Sequence, residues 1–188
     1  GQTVRVPPMQ ERPDSPSASN RASLSDEDRA FIQSMVIHKD DQVLALNKPA
    51  GRAVQGGTRT QRHIDGLLDG LKFRLSERPR LVHRLDKDTS GVLLLGRTRT
   101  GTNALAKAFK SRSAIKIYWA LVHGVPRPAQ GKISMALKKA HGPSGDRVRQ
   151  ADHDDEEAQD ATTYYAVMSR AGERFSWLSL RPVTGRTH

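Results

Sequence analysis

The sequence predicts an α+β fold in which a mixed, mostly antiparallel β-sheet carries flanking helices. Short apolar runs recur along the chain, and VLALN, VLLLG and AIKIYWALV are the clearest of them. Glycine, proline and asparagine residues lie between these runs, as expected for turns that join strands. Only a few segments have the period of an amphipathic helix. Strands therefore outnumber helices in the prediction.

Three segments are predicted to be helical. Near the first, Ser25 precedes Asp28 by three residues, which is a variant of the capping box that begins helices. A second helix is predicted around residues 62–74. The third, over residues 100–112, has the most regular apolar face.

Strands are predicted between and after these helices. They cover residues 43–47, 79–86, 92–97, 114–124, 131–137, 162–168 and 174–183. The polar residues 138–161 are predicted to form a long loop or excursion. We interpret the acidic run DHDDEE within it as a solvated patch rather than a metal site.

The strand predicted at residues 114–124 alternates in polarity, and a strand directs successive side chains to opposite faces of its sheet. One face carries the apolar side chains of Ile115, Ile117, Trp119 and Leu121. We expect that face to lie in the core. Lys116 and Tyr118 share the second, more polar face.

Composition favours a partner that is a polyanion. The 188 residues include 31 Lys and Arg against 20 Asp and Glu, a net charge of +11. Such an excess is typical of proteins that bind nucleic acid. The absence of cysteine excludes disulfides, a thiol nucleophile and a cysteine-based zinc site. With no long apolar run and no signal-peptide pattern, we expect a cytoplasmic protein. The sequence does not indicate the oligomeric state.

Common enzyme motifs are absent from the sequence. It contains no G-x-S-x-G elbow of a serine hydrolase and no H-E-x-x-H pair for zinc. Its glycine pairs lack the context of a phosphate-binding loop. A nucleoside or phosphoester hydrolase is therefore a weak alternative.

The stretch HRLDKDTSG crowds charged residues between two apolar runs. Asp86 lies between Arg84 and Lys87, and nearby positive charge favours the ionised form of a carboxyl group. Asp86 could act as a nucleophile, a base or an electrostatic partner, or form an ion pair that holds the turn. His83 could orient a neighbour or a phosphate. Asp88 is interpreted as a turn residue.

Other candidate residues have both a functional and an ordinary interpretation. Tyr118 could be a half-buried strand residue, or a platform on which an unstacked RNA base lies. Lys48 in NKPAG and Arg186 in TGRTH could bind phosphate, or could be solvated basic residues.

Four motifs, in the expected order, resemble those of RluA-type pseudouridine synthases. HRLDKDTSG is similar to the family signature, in which HRLD is followed by a pair of acidic or polar residues and TSG. VLALNKPAGRAVQGG resembles the motif NKPxG followed by HGG, with Gln55 where histidine is usual. KIYWALVHG is similar to KxYxAxVxG, and PVTGRTH to the start of GRTHQ[IL]R.

The resemblance implies an isomerase that converts uridine to pseudouridine in RNA without a cofactor or metal. It implies that Asp86 is the catalytic carboxylate, that Arg84 fills the space left by a flipped uridine, and that Tyr118 stacks on the uracil and assists proton transfer. His83 and Lys48 would support the site or contact RNA. The implied RNA contacts also include Lys116 and Arg186.

The resemblance also implies the substrate and the organisation of the chain. The HGG-like turn and the excursion after the tyrosine strand resemble the RluC-like branch, which modifies 23S large-subunit ribosomal RNA. Residues 1–8 resemble the end of an S4 RNA-binding module, residues 9–22 are a flexible linker, and residues 23–188 are the catalytic domain. In the family, a basic residue after GRTH pairs with the carboxylate, so we expect these 188 residues alone to be inactive. The alternative is a non-catalytic RNA-binding or ribosome-assembly protein on the same scaffold.

Overall fold

The structure, a computed structural model, describes residues 24–56, 63–140, 147–151, 155 and 157–184. The S4-like segment, the linker and Arg186 predicted from the sequence lie outside these residues. The chain divides into two compact units, the first ending at Ala106 and the second beginning at Lys107. Each unit is described by itself.

The first unit contains a four-stranded antiparallel sheet. Its strands, in the order β1-β2-β4-β3 across the sheet, are β1 (Val36–Lys39), β2 (Val43–Lys48), β3 (Arg80–Leu81) and β4 (Gly91–Gly96). In the register of β2 with β4, Leu44 lies opposite Leu95 and Leu46 opposite Leu93. All four leucines are fully buried, so this face of the sheet forms core. Lys48 continues the same period after Leu46 and therefore lies on the buried face.

The helices of the first unit follow the predictions in part. Helix α1 (Asp26–Ser34) begins as predicted, with the main-chain N–H of Asp28 donating to Ser25 Oγ at 3.1 Å. The helix predicted at residues 62–74 is shorter. It consists of α2 (Ile64–Leu67) and a 3₁₀ turn (Leu68–Leu71). Glycines within this segment weaken the helix, because glycine loses more backbone entropy than other residues.

The strand predicted at residues 79–86 is also shorter than expected. Only Arg80–Leu81 pairs with β4, after which the chain leaves the sheet. Helix α3 (Arg99–Lys110) corresponds to the third predicted helix and spans the boundary between the units. In the described part of the chain, no helix is long and apolar enough to cross a membrane.

The second unit contains a five-stranded antiparallel sheet. Its strands, in the order β5-β9-β8-β6-β7, are β5 (Tyr118–His123), β6 (Gln130–Ala140), β7 (Arg147–Ala151), β8 (Gln159–Ala171) and β9 (Phe175–Pro182). The prediction of a long loop at residues 138–161 was wrong in part, because β7 lies within it. This strand is short and lies at the sheet edge, where polar residues are tolerated. The predicted α+β class, with mostly antiparallel strands, is confirmed.

The prediction about the two faces of the tyrosine strand was wrong. The four side chains expected in the core are exposed, at 66% for Ile115, 52% for Ile117, 69% for Trp119 and 65% for Leu121. Tyr118 and Lys116 are half-buried instead. Alternation shows that two faces differ in polarity, but it does not show which face other residues cover. Among the described residues, the apolar face remains solvent-exposed.

Candidate active site

The HRLDKDTSG loop connects β3 to β4 and presents its charged residues outward. Leu85 is buried, whereas Arg84 and Asp86 on either side of it are exposed. With Leu85 anchored in the core, the charged side chains on either side of it remain exposed to solvent. The carboxylate of Asp86 and the guanidinium of Arg84 are therefore both accessible from solvent.

A turn then returns the chain to the sheet. Lys87 and Asp88 occupy its centre, and the main-chain N–H of Thr89 donates to the carbonyl of Asp86 at 3.2 Å. The predicted turn at KDTSG is thus confirmed. Gly91 follows with φ of +129°, a conformation that residues with a Cβ atom rarely adopt. The turn thus fixes the main chain on the C-terminal side of Asp86.

His83 anchors the other side of the loop. Its ring is half-buried, and its Nε2 lies 2.9 Å from the main-chain nitrogen of Leu94 in β4. A main-chain N–H can only donate, so Nε2 accepts. Of the two roles expected for His83, this hydrogen bond corresponds to supporting the site, and contact with RNA stays a prediction.

Lys48 is the most deeply buried charged residue of the loop region. Its side chain has no exposed surface, and its ammonium donates to the carbonyls of Pro49 at 3.0 Å, Arg52 at 2.7 Å and Lys87 at 3.0 Å. An ammonium has three donors, so these bonds use all of them. They join the end of β2, the NKPAG turn and the HRLDKDTSG loop. Of the roles expected for Lys48, this position corresponds to supporting the site, and contact with an RNA phosphate stays a prediction.

Two carboxylates, those of Asp88 and Asp86, influence the pKa of Lys48. Burial lowers the pKa of Lys48, while the negative charges of Asp88 and Asp86 act in the opposite direction. Asp88 is the larger of these two influences. The buried cation therefore holds the loop both through the carbonyl of Lys87 and through the field of its two acids.

The NKPAG turn supplies one side of this arrangement. Gly51 has φ of +80°, which suits glycine. The carbonyl of Arg52 binds Lys48, and the guanidinium of Arg52 lies 5.1 Å from the ring centroid of Phe31 in α1. Gln55, the residue in place of the usual histidine, is exposed. Arg52 and Lys87 cannot be recognised as part of this site from the sequence, because they contribute main-chain carbonyls and not side-chain groups.

The structure brings together Lys48, His83, Arg84 and Asp86 in the first unit. Tyr118 and Lys116 belong to the second unit. Tyr118 is the first residue of β5, lies opposite Leu180 of β9 and is half-buried. Lys116 precedes that strand by two residues and is also half-buried.

The family model described as RNA pseudouridylate synthase matches residues 42–188. This chain belongs to that family. The match contains the NKPAG turn, the HRLDKDTSG loop and the tyrosine strand. The resemblance noted in the sequence is therefore confirmed.

Curated relatives and a solved structure agree with this assignment. RNA pseudouridine synthase 4, mitochondrial, of Arabidopsis thaliana is 40% identical over 94% of this chain and 41% of its own length. Ribosomal large subunit pseudouridine synthase C of Rickettsia conorii is 37% identical over 81% of this chain and 49% of its own. The structure of human RNA pseudouridylate synthase domain containing 4 superposes with a TM-score of 0.72 at 26% identity, covering 86% of this chain and 65% of that one. The chain thus spans half or less of the length of these curated relatives.

Proposed function

We propose that the protein isomerises uridine to pseudouridine in large-subunit ribosomal RNA. The observation that carries the proposal is the exposed carboxylate of Asp86, held on an anchored loop within the matched region. The net charge of +11 supports an RNA substrate. The choice of ribosomal RNA is supported by the names of the large-subunit relatives.

The reaction rearranges the substrate without adding or removing atoms overall. The bond between uracil N1 and ribose C1′ breaks, the base turns, and C5 bonds to C1′. The proton lost from C5 is balanced by the one gained at N1, so no oxidant, reductant or cofactor enters. The step requires a carboxylate beside the reacting uridine, and Asp86 is the exposed carboxylate at the position that the family motif assigns.

Other residues would hold the RNA and the flipped base. A uridine in folded RNA must leave its stack, which costs a few kcal/mol. Arg84, exposed two residues before Asp86, would fill the vacated space. Tyr118 would stack on the uracil and assist proton transfer, as aromatic rings do with unpaired bases. Lys116 and Arg186 would contact phosphate.

The test compares Asp86 with an exposed aspartate outside the loop, in the protein encoded by the complete gene. Release of tritium from RNA that contains [5-³H]uridine measures the loss of the C5 proton. Asp86→Asn should abolish release while leaving RNA affinity within about twofold. Asp41→Asn, at an exposed aspartate outside the HRLDKDTSG loop, removes the same charge and should retain activity. Full activity of Asp86→Asn would refute the assignment of this residue.

The second candidate function, a non-catalytic RNA-binding or ribosome-assembly protein, gives a different result in the same experiment. Such a protein would bind RNA but release no tritium, and neither variant would matter. The basic composition is compatible with it, but the anchoring of Asp86 favours the enzyme. The cytoplasmic location stays a prediction, and cell fractionation with an antibody to the protein checks it.

A further inference from the structure

The paired register of β3 and β4 would place Val82 opposite Leu94. Arg80 lies opposite Gly96 and Leu81 opposite Leu95, but the pairing stops there. The N–H of Leu94, which the next residue of β3 would otherwise satisfy, donates to the imidazole of His83 at 2.9 Å. A side chain therefore takes the place of a main-chain carbonyl at the point where the loop leaves the sheet.

Because the side chain of His83 accepts this N–H, the main chain can leave the sheet and still remain bonded to β4 through that side chain. After the tied residue, Leu85 enters the core and Asp86 is exposed. One residue further, the carbonyl of Lys87 binds the buried ammonium of Lys48 at 3.0 Å. The loop is thus fixed at His83, three residues before Asp86, and at Lys87, one residue after it.

We infer that His83 is a positioning residue that sets the location of the Asp86 carboxylate by accepting the Leu94 N–H, rather than a residue that contacts RNA. The inference rests on the proposed function and deepens it. Its physical basis is that a carboxylate must lie in line with a reacting atom, and that a displacement of about 1 Å can cost about a hundredfold in rate. The imidazole ring of His83 places its acceptor atom, Nε2, at a defined distance from the main chain of the loop.

The distance of the acceptor atom from Cβ decides which variants of His83 can still accept the Leu94 N–H. Glutamine places its terminal oxygen the same number of bonds from Cβ as Nε2 of histidine, so His83→Gln can accept the Leu94 N–H. Asparagine is one bond shorter, and leucine has no acceptor. His83→Asn and His83→Leu should therefore lose the contact, although both side chains can occupy the site.

Kinetics of the protein from the complete gene test the inference. His83→Leu and His83→Asn should lower kcat by about tenfold to a hundredfold, with KM for RNA within about twofold. His83→Gln should restore kcat to within about threefold of wild type. Ile32→Val, at a fully buried position of α1, is the control for general destabilisation and should keep kcat. A raised KM with unchanged kcat, or equal losses in Gln and Leu variants, would overturn the inference.

A second measurement separates this inference from the proposed function. Hydrogen exchange of the Leu94 amide should be slow in wild type, fast in His83→Leu and slow again in His83→Gln. If the wild-type protein makes no pseudouridine, the proposed function fails while this exchange pattern still holds. If wild type is active and the Leu94 amide exchanges equally in all variants, the positioning role of His83 fails alone.

Discussion

Replacing Lys48 with methionine separates a structural role from an RNA-binding role. The change keeps much of the side-chain length but removes the ammonium and its bonds to the carbonyls of Pro49, Arg52 and Lys87. A buried acceptor left without a donor costs about 1–3 kcal/mol. Pro49 and Lys87 are exposed, so water can partly replace the ammonium and the lower end of that range applies. We expect a loss of about 3 kcal/mol, at about 1 kcal/mol for each bond.

Thermal and urea unfolding of the 188-residue chain measure this loss. For a chain of this size, about 3 kcal/mol corresponds to a decrease in Tm of about 6–12 °C. The RNA affinity of folded Lys48→Met should stay within about twofold of wild type, and its salt dependence should not change. Lys87→Met, at an exposed lysine of the same loop, is the matched control and should change stability by less than about 0.5 kcal/mol. Unchanged stability together with weaker RNA binding would refute the structural role.

Two further predictions concern charge. The carboxylate of Asp40 accepts a hydrogen bond from His38 and from the main-chain N–H groups of Gln42 and Val43, and these bonds lower its pKa from 3.8 to about 2. Because the pKa of Asp40 is lower in the folded than in the unfolded protein, its stabilisation is complete above about pH 4 and is lost as the pH falls toward 2. The difference in Tm between wild type and Asp40→Ala should therefore narrow over that range. A constant difference in Tm would contradict the reasoning. RNA affinity should fall steeply between about 50 and 200 mM salt, since protein contacts with phosphate release counterions. Filter binding or fluorescence anisotropy measures this affinity. An affinity that does not change with salt would contradict a phosphate-dominated contact.

The sequence predicted the elements whose signals are local. Ser25 and Asp28 cap α1 as expected, and the strand at VLALN forms with its leucines buried. The signals failed where the outcome depends on distant residues. The strand at residues 79–86 has the composition of a longer strand, but a histidine ring ends its pairing. The burial of Trp119 was mispredicted because alternation does not identify the covered face.

The candidate site was predictable in its motifs and less so in the roles of its residues. Asp86 and Arg84 are exposed on the loop that their charges had indicated. The resemblance implied that Lys48 and His83 either support the site or contact RNA, and residue types alone do not decide between these roles. In the structure both side chains have main-chain partners within the first unit. Such partners come from the folded main chain and cannot be identified from residue types alone.

The most direct measurement of the proposed reaction is a map of pseudouridines in ribosomal RNA from cells that lack the gene for this protein. At least one large-subunit pseudouridine should revert to uridine in these cells. Wild-type protein should restore it, whereas the protein carrying Asp86→Asn should not. An unchanged map, or restoration by both proteins, would contradict the claim that this aspartate isomerises a ribosomal uridine.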